Sequence, residues 1–497
     1  MNISSVLLTD FYKQCHAEQY DPTITKLVSY YTPRMSRLRG IDSVPVVGLQ
    51  AFIIEYLINH FNKNFFERNL IDVMEEYEFI ITKTMGANRV NSEKIEKLHR
   101  LQYLPIEIRA LDEGLMCPIK CPMIEISNTH DDFAWCTNLI ESLMSSELWY
   151  QGCTATTGIM YRKIVNKYYE QTSDNLQLRK SAISEFGFRG LPGLGAAIKA
   201  SMGFLLSFNK TATIPSIYYI AQYYGDLIEN IATGMASTEH SVMCSSYSLD
   251  GNEITQIERL LSEVYPDGNF SMVSDSYDYW NVIKKLLPKA KESILSRNGT
   301  LFVRGDSGDP VEIVTETVSK LYSIFGGSIN SKGYAVLNPK IRVIYGDSIT
   351  PLRARKIYHI LEQNGFSAEN VALGAGSFSM LCLEEGGGLQ PYTRDTFGVA
   401  IKSTYGEYKS NQIDSRTSNF FVISKNPKTD SLHFKKSQVG ACAVFNTKNG
   451  IVYTDRLNLN KAHKDLDNLL TPVYKDGKML KITSFADIRN RLWNNDF

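Results

Sequence analysis

Strand–loop–helix repetition limits the folds open to this chain more than any other feature of its sequence. Three complete units span 271–287, 300–325 and 340–366, and a fourth begins at 368–378. Each starts with an apolar, β-branched run and continues through a glycine- or aspartate-rich turn into a helical stretch. This alternation is typical of a parallel sheet with crossover helices. Four such units, with weaker ones upstream, favour a barrel over a short open sheet, with the polar loops together at the carboxyl ends of the strands.

The segments on either side of these units follow other patterns. Residues 49–61 have the apolar spacing of an amphipathic helix, and 133–149 predict a long apolar helix. After 395, short alternating runs separated by turns such as 448–450 predict antiparallel strands. We therefore predict an α/β fold in which an irregular (β/α) barrel, the catalytic domain, spans 149–394. A flanking mixed α+β domain is predicted from both termini, 1–148 and 395–497.

Composition and charge exclude several classes of protein. The 497 residues include 53 basic and 53 acidic ones, so the net charge is zero, and 43% of the residues are apolar. This balance argues against a largely disordered chain and against a protein whose main partner is a nucleic acid. No apolar run is long enough for a membrane span, and the first residues lack the features of a secretory signal. The eight cysteines are dispersed, with only Cys117 and Cys121 close together, which favours free thiols in a cytoplasmic protein over a zinc site.

The loops after the predicted strands carry the side chains that suggest chemistry. Carboxylates at strand ends suit ribose hydroxyls or Mg²⁺, an arginine among them suits phosphate oxygens, and glycines let backbone N–H groups approach a phosphate. One such loop alone is more often an ordinary turn, but four on one face indicate a site for a phosphorylated sugar. The residues are Asp275 and Asp278 in 273–278, Arg304, Asp306 and Asp309 in 303–310, Gly346 and Asp347 in 345–348, and the glycines of 373–377.

Three further segments allow both a functional and a structural interpretation. Phe186 and Arg189, in EFGFRG, suit the stacking of a flat ring beside a phosphate, or they are a core aromatic and a surface cation. His240, in TEHS, would be a nucleophile or base near a phosphate, whereas a lone histidine is more often structural. Asp10 and Tyr12, in LLTDFYK, fit simple helix capping by the aspartate.

Taken together, these segments resemble the nicotinamide phosphoribosyltransferase family. The resemblance rests on LLTDFYK, SYYTPR, EFGFRG, TEHS, VSDSYD, VRGDSG, VIYGD, LGAGS and TRD, in the family's order between residues 7 and 395. It implies a type II phosphoribosyltransferase that works as a homodimer with shared active sites. The implied reaction, a step of NAD salvage, joins nicotinamide to 5-phosphoribosyl 1-pyrophosphate with Mg²⁺ and yields nicotinamide mononucleotide and pyrophosphate. ATP is implied as a coupled substrate.

The resemblance also implies a catalytic set of four residues. His240 would be the residue that ATP phosphorylates. Arg304 would hold phosphate or pyrophosphate oxygens, and Asp306 would bond the ribose hydroxyls. Asp275 would orient Arg304 or the base.

A larger set would bind the substrates. In that set Phe186 would stack on the pyridine ring, with Tyr12 of the partner subunit on its other face. Gly376 and Ser377 would hold the 5′-phosphate, and a basic pocket would lie across the dimer interface. The full set is Asp10, Tyr12, Arg34, Phe186, Arg189, Ala212, Gly305, Gly346, Asp347, Gly376, Ser377, Arg394 and Lys402, of which Arg34, Arg394 and Lys402 form the basic pocket.

The sequence departs from the family pattern at three places. Ala212 stands where the animal enzymes have an aspartate that binds the nicotinamide amide, which leaves nicotinate as an alternative base. The segment before Arg394 is longer than in the family, so two glycine runs are candidates for the 5′-phosphate: 374–376, which we prefer, and 386–388. Ala400 replaces a serine of the basic pocket. An alternative of a different class is a non-catalytic binding module on the same fold.

Overall fold

The computed structural model describes residues 3–89, 92–385, 388–409, 419–425, 429 and 438–497. The chain forms two compact units. The first comprises Met1–Cys153, Gln222–Gly225 and Tyr392–Asp496, and the second comprises Thr154–Ala221, Asp226–Pro391 and Phe497. The domain boundaries given above, at 148 and 394, stay predictions.

The strands are numbered in chain order. They are β1 (Ile24–Thr32), β2 (Ser43–Pro45), β3 (Ile106–Ala110), β4 (Met116–Pro118), β5 (Ile124–Asn128), β6 (Ile183–Phe186), β7 (Ala236–Ser237), β8 (Phe270–Val273), β9 (Leu301–Gly305), β10 (Gly327–Ile329), β11 (Ala335–Leu337), β12 (Ile341–Tyr345), β13 (Val371–Gly376), β14 (Cys382–Glu385), β15 (Gly388–Pro391), β16 (Ala400–Tyr408), β17 (Phe420–Val422), β18 (Ala441–Thr447), β19 (Gly450–Leu457), β20 (Thr471–Lys475) and β21 (Lys478–Met479).

The helices of eight or more residues are described by their bounds. They are Ile53–His60, Leu70–Met85, Glu93–Leu101, Glu141–Thr172, Leu194–Leu205, Ile214–Tyr224, His240–Asp250, Pro310–Phe325, Pro351–Gln363 and Phe485–Leu492. Shorter ones include Phe11–Gln14, His16–Gln19, Leu49–Phe52, Asn62–Phe66, Cys136–Leu139, Ile228–Ile231, Glu253–Arg259, Leu260–Val264, Tyr279–Asn281, Val282–Leu286, Leu287–Lys289, Lys291–Ser296, Ser377–Leu381 and Leu459–Lys464.

The second unit is built on a six-stranded parallel sheet in the order β6–β13–β12–β9–β8–β7. Its central strands are almost fully buried, as parallel strands covered by helices must be. Isolated parallel bridges join Glu185 to Thr211 and Lys210 to Thr233, so residues 210–211 lie between β6 and the chain that enters β7. The predicted α/β barrel is therefore confirmed as an irregular, curled parallel sheet.

Two of the loop carboxylates begin helices instead of facing a ligand. The Asp309 carboxylate accepts hydrogen bonds from the N–H groups of Val311 (2.9 Å) and Glu312 (3.1 Å), with Pro310 as the first helical residue. The Asp278 carboxylate accepts from the N–H of Asn281 at 2.9 Å. Both are helix caps, which is the common use of an aspartate at this position.

The first unit contains a seven-stranded sheet in the order β17–β16–β1–β5–β3–β20–β21, in which all neighbours pair antiparallel. It combines strands from both termini, as the prediction of a flanking α+β domain requires. The predicted C-terminal strands are present, and β18 and β19 form a hairpin around the predicted turn.

One predicted helix is wrong in its bounds. Residues 133–149 were expected to form a single helix, but Cys136–Leu139 ends at Ile140, and a second helix runs over Glu141–Thr172. The carbonyl of Leu139 accepts a hydrogen bond from the Thr9 hydroxyl at 2.8 Å, so a distant side chain satisfies the group that would otherwise continue the helix.

Two general expectations can be compared with the structure. No helix in the described part of the chain is both long and apolar enough to cross a membrane. All eight cysteines are free thiols, and five of them, Cys117 and Cys121 included, are buried.

Candidate active site

A cavity of about 1020 Å³ lies at the carboxyl ends of the parallel strands of the second unit. We call it the strand-end cavity. Ten of the residues predicted from the sequence line it: Phe186, Arg189, Ala212, His240, Arg304, Asp306, Gly346, Asp347, Gly376 and Ser377. Two more, Asp275 and Gly305, adjoin these residues along the chain or through hydrogen bonds.

Two glycines allow the side chains of the cavity to pack closely. A Cβ atom at Gly374 would lie 2.7 Å from the Phe186 ring, and one at Gly346 would lie 2.6 Å from Oδ1 of Asp306. Neither position could carry a side chain unless the aromatic ring or the carboxylate moved. Gly374 within β13 and Gly346 directly after β12 thus leave the space that the ring and the carboxylate occupy.

The sequence interpretation missed Glu185, which anchors the wall around Phe186. Its buried carboxylate accepts hydrogen bonds from the hydroxyls of Thr211 (2.6 Å) and Thr213 (2.7 Å) and from the N–H of Gly187. Its backbone carbonyl accepts from the N–H of Ala212 at 2.8 Å. The signal was the glutamate in EFGFRG together with the two threonines that flank Ala212.

Arg304 and Asp306 form an ion pair at the end of β9. Nε of Arg304 lies 3.1 Å from Oδ2 of Asp306, and both side chains are mostly buried. Burial raises the pKa of the Asp306 carboxyl above its ordinary value, although Arg304 opposes this effect. Oδ1 of Asp306 is buried and has no hydrogen-bond partner among the described residues. The described residues therefore leave the hydrogen-bonding capacity of this oxygen, on a side chain that lines the cavity, unmet.

Asp275 connects His240 to the loop after β9. Its Oδ1 lies 3.1 Å from Nε2 of His240, and its Oδ2 accepts from the Ser307 hydroxyl (2.5 Å) and the Asp306 N–H (3.0 Å). Burial acts to raise the pKa of Asp275, but these hydrogen bonds and His240 outweigh it and hold the pKa below its ordinary value. Asp275 therefore stays ionised and orients the imidazole, and it makes no ion pair with Arg304 among the described residues.

The preferred glycine run ends a strand at the cavity. Gly376 closes β13, Ser377 begins the next helix, and a Cβ at Gly376 would meet nothing within 4 Å. The alternative run falls partly outside the described residues, since the structure does not describe Gly386 and Gly387, and Gly388 begins β15. The described glycines are thus consistent with the choice of 374–376.

The first unit contains a group of four basic side chains that we call the cation cluster. It comprises the predicted residues Arg34, Arg394 and Lys402 and also Lys13, which was not predicted from the sequence. Glu141 pairs with Lys13 through Oε2, and its Oε1 lies 3.7 Å from Nζ of Lys402. Burial lowers the pKa of Lys402, with Glu141 opposing, and burial together with Arg394 lowers the pKa of Arg34.

Tyr12 and Asp10 adjoin this cluster. Nζ of Lys13 lies 5.2 Å from the centre of the Tyr12 ring, and Tyr12 is 58% exposed. The Asp10 carboxylate accepts a hydrogen bond from the Ser142 hydroxyl, so it caps no helix with its side chain. The capping interpretation of Asp10 is therefore wrong.

Several residues of the strand-end cavity were not predicted. Arg353 and Ser348 follow Asp347, and Glu384 and Leu389 belong to the hairpin of β14 and β15. This hairpin lies within the segment before Arg394 that is expected from the sequence to be longer than in the family. An arginine in the first turn of the helix after β12 was the signal for Arg353, but nothing in the sequence predicted that the hairpin would reach the cavity.

The donor atoms of the cavity suit Mg²⁺ brought by a ligand more than a resident metal ion. Within the described residues there is no group of three or more His, Cys, Asp or Glu side chains that could hold a metal by themselves. The unpartnered Oδ1 of Asp306 and the exposed carboxylate of Asp347 are oxygen donors of the kind that Mg²⁺ accepts beside phosphate oxygens. The residues therefore fit an ion held mainly by pyrophosphate.

The chain is similar in sequence to known proteins. The model of the nicotinate phosphoribosyltransferase (NAPRTase) family matches residues 182–449. A nicotinamide phosphoribosyltransferase from Acinetobacter baylyi is 34% identical over 507 residues, covering 97% of this chain and 96% of that protein. One from Xanthomonas campestris is 28% identical, with 97% of each chain covered.

Two solved structures share the fold. Human nicotinic acid phosphoribosyltransferase matches with a TM-score of 0.57 at 15% identity, over 98% of this chain and 93% of the other. A nicotinate-nucleotide pyrophosphorylase from Pyrococcus furiosus matches with a TM-score of 0.58 at 11% identity, over 99% and 94%. The chain therefore belongs to the nicotinate phosphoribosyltransferase (NAPRTase) family of phosphoribosyl-transferring enzymes, and the family resemblance predicted from its strand-end motifs is confirmed.

Proposed function

We propose that this enzyme transfers phosphoribosyl from 5-phosphoribosyl 1-pyrophosphate to nicotinamide, as a step of NAD salvage. The observation that carries the proposal is one cavity that combines an aromatic ring (Phe186), an arginine–aspartate pair (Arg304 and Asp306) and open glycine-rich strand ends (Gly346 and Gly376). A pyridine, a ribose and phosphates need these three kinds of group. The names of the relatives support nicotinamide as the base.

The reaction is a substitution at C1 of the ribose. The bond from C1 to the pyrophosphate oxygen breaks and its electron pair leaves with pyrophosphate, while the pyridine nitrogen forms the new bond to C1. That nitrogen already has a free electron pair, so no general base is needed. Positive charge develops on the ribose in the transition state, as in other glycosyl transfers.

Catalysis then depends on position and charge. The carboxylates of Asp306 and Asp347 stabilise the positive ribose, and Arg304 and Arg189 stabilise the leaving pyrophosphate. Phe186 holds the pyridine ring by stacking. Asp306 and the pyrophosphate of the substrate would hold Mg²⁺, which would add positive charge beside the leaving group.

The choice between nicotinamide and nicotinate depends on the wall around Ala212. This side chain is exposed in the cavity and has no polar atom, and its N–H already donates to Glu185. The Ala212 side chain can therefore neither accept a hydrogen bond from a carboxamide nor pair with a carboxylate. Selectivity must come from other groups of the cavity.

Steady-state assays with each base, and mass spectrometry of the mononucleotide formed, test the proposal. We expect kcat/KM to favour nicotinamide by about tenfold or more, the ratio that one lost polar contact gives. If nicotinate mononucleotide were the main product, we would assign nicotinate, not nicotinamide, as the substrate. If the folded protein formed neither mononucleotide, the non-catalytic binding module would be the better description, and Asp306→Ala protein is the control for contaminating activity.

We further propose that ATP phosphorylates His240. Its Nε2 faces the ionised Asp275, which favours the proton on that nitrogen and leaves Nδ1 with the electron pair. Nδ1 would attack the γ-phosphorus, and the bond to the bridging oxygen would break with release of ADP. Acid-labile label transferred from [γ-³²P]ATP should be lost in His240→Ala, and label that persists in this variant would assign the acceptor to another residue.

We also propose that the enzyme is a homodimer whose sites are shared. The exposed Tyr12 and the cation cluster support this, because they offer an aromatic ring and positive charge to a substrate. Mixing inactive Tyr12→Ala and Asp306→Ala subunits should restore about a quarter of the activity, since half of the random dimers are hybrids with one intact site. No restoration after subunit exchange, measured by native mass spectrometry, would contradict shared sites.

A further inference from the structure

Arg353 is a cation of the strand-end cavity that the mechanism above does not use. It is the third residue of the helix Pro351–Gln363 and lines the same cavity as Gly376 and Ser377. Its Nη1 donates a hydrogen bond to the carbonyl of Ser348 at 2.5 Å. Among the described residues it has no other side-chain hydrogen bond and no ion pair, so most of its five N–H donors are available to a ligand.

The fold brings Arg353 close to the end of β13. Strands β12 and β13 pair in parallel, with Tyr345 opposite Leu373, so the loops that follow them are neighbours. The Ser379 hydroxyl donates to the carbonyl of Ile349 at 2.8 Å, and the Tyr161 hydroxyl donates to the same carbonyl at 2.9 Å. Since Arg353 bonds to the residue before Ile349, its guanidinium lies beside the helix that Ser377 begins.

Arg189 also lies near this end, because the next residue, Gly190, is so close to Ser377 that a Cβ there would come within 2.1 Å of the Ser377 hydroxyl oxygen. The mechanism above assigns Arg189 to pyrophosphate, so the charge available to a second phosphate is incomplete without Arg353. Ser377 and the backbone N–H groups near Gly376 can donate hydrogen bonds to a phosphate but carry no positive charge. A phosphate monoester carries between one and two negative charges at neutral pH. Glu384 also lines the cavity, but its Oε2 accepts from the Thr350 hydroxyl at 2.9 Å, and it forms no ion pair with Arg353.

We propose that Arg353 binds the 5′-phosphate of the phosphoribosyl substrate. The proposal rests on the function proposed above and adds a residue to it. A guanidinium matches two phosphate oxygens at once through parallel N–H bonds, which a backbone N–H or a hydroxyl cannot do. Arg353 thereby fixes the sugar at the end opposite to the pyrophosphate that Arg304 holds.

A purely structural role is the competing explanation. Ser348 has φ of +55°, in the left-handed region that disfavours residues other than glycine. The bond from Arg353 to the Ser348 carbonyl could simply hold this strained turn. Glycine adopts the same φ without strain, so Ser348→Gly removes the need for that support.

Binding of ribose 5-phosphate, measured by calorimetry without any base, separates the two explanations. We expect Arg353→Ala to weaken this binding by about tenfold or more, as for loss of a charge-assisted hydrogen bond, and Arg353→Lys to restore part of it. Binding of pyrophosphate should stay within about twofold of wild type, because its oxygens lie at the Arg304 end. Arg355→Ala, an exposed arginine on the same helix that does not line the cavity, is the matched control.

Three results would overturn the proposal. First, Arg353→Ala could bind ribose 5-phosphate with wild-type affinity. Second, the wild-type protein could fail to bind ribose 5-phosphate. Third, the double variant Arg353→Ala/Ser348→Gly could bind it as tightly as Ser348→Gly alone. Persistent loss in the double variant supports it. These measurements contain no pyridine base, so they hold whether the enzyme uses nicotinamide or nicotinate.

Discussion

The strand-end cavity and the cation cluster differ in how their charges are balanced. In the cluster, Glu141 contacts both Lys13 and Lys402, so the chain supplies its own counter-charge. In the cavity, Oδ1 of Asp306 has no partner among the described residues, and Arg353 bonds only to a backbone carbonyl. Native proteins pair nearly all of their buried polar atoms, so an unpaired one marks a place for a ligand. Substitutions in the cavity should therefore reduce activity, and those in the cluster should also reduce stability.

The sharpest test of this difference compares substitutions of two aspartates in one loop, Asp306 and Asp309. Asp306→Ala should lower kcat by about a hundredfold or more, as for other preorganised charges at a transition state. Its stability should change little, because two effects oppose each other: the raised pKa of Asp306 means that its ionised form costs folding free energy at neutral pH, whereas its loss leaves the mostly buried Arg304 without a carboxylate. Turnover assays and thermal unfolding measure the two effects.

Asp309→Ala is the matched control. This carboxylate caps the helix that begins at Pro310, so its loss should lower the free energy of unfolding by about 1 kcal/mol with turnover retained. If Asp306→Ala lost stability and kept turnover, Asp306 would have a structural role like that of Asp309. The cavity would then not be the active site.

In the cation cluster, Glu141→Gln should destabilise the protein. Lys13 is 5% exposed, so the variant leaves a buried ammonium without its carboxylate. The expected loss is about 2 kcal/mol in the free energy of unfolding, measured by urea denaturation. Glu96→Gln, which breaks an exposed pair with Arg100, should cost no more than about 0.5 kcal/mol. Equal losses in both variants would mean that Glu141 does not balance the cluster.

The contribution of aromatic stacking should be smaller. Phe186→Leu keeps an apolar side chain but removes the ring, and we expect the KM for the base to rise about two- to tenfold, as for 0.5–1.5 kcal/mol of stacking. The KM for 5-phosphoribosyl 1-pyrophosphate should change little. Phe188→Leu, at another aromatic ring of the cavity, is the comparison, and a larger effect there would assign the stacking on the base to Phe188.

The smallest expected effect is a shift in pH dependence. Activity needs ionised Asp306, so kcat/KM should fall as the pH drops through its pKa, which burial raises above that of an ordinary aspartate. Arg304 lowers this pKa, and Arg304→Gln should therefore move the acid limb to higher pH. An acid limb that stayed in place or moved to lower pH would assign it to another group.

The sequence predicted the parts of the molecule that depend on local pattern. Strands β8, β9, β12 and β13 and their polar loops follow from apolar runs that end in glycine or aspartate, and the cavity residues lie at those loop positions. The roles of Asp278 and Asp309 can be assigned only from their hydrogen bonds, because an aspartate that caps a helix and one that binds a ligand look the same in the sequence.

Long-range contacts limited the prediction elsewhere. The break in the helix at Ile140 depends on Thr9, more than a hundred residues away in the sequence. Glu185 gains its importance from Thr211 and Thr213, and Glu384 reaches the cavity only because β14 and β15 form a hairpin. None of these pairings has a sequence period that would predict it.

The parallel register of the sheet determines whether a substitution or an insertion in the sequence preserves the active site. Tyr345 lies opposite both Gly305 and Leu373, and Gly376 lies opposite Phe186, so β9 and β12 end level with each other, as do β6 and β13. A point substitution alters one of these positions and leaves the others in place. A single inserted residue within β12 would shift Gly346 and Asp347 together and turn every later side chain of that strand to the opposite face. Viable insertions should therefore accumulate in the loops, while the strands keep a constant length.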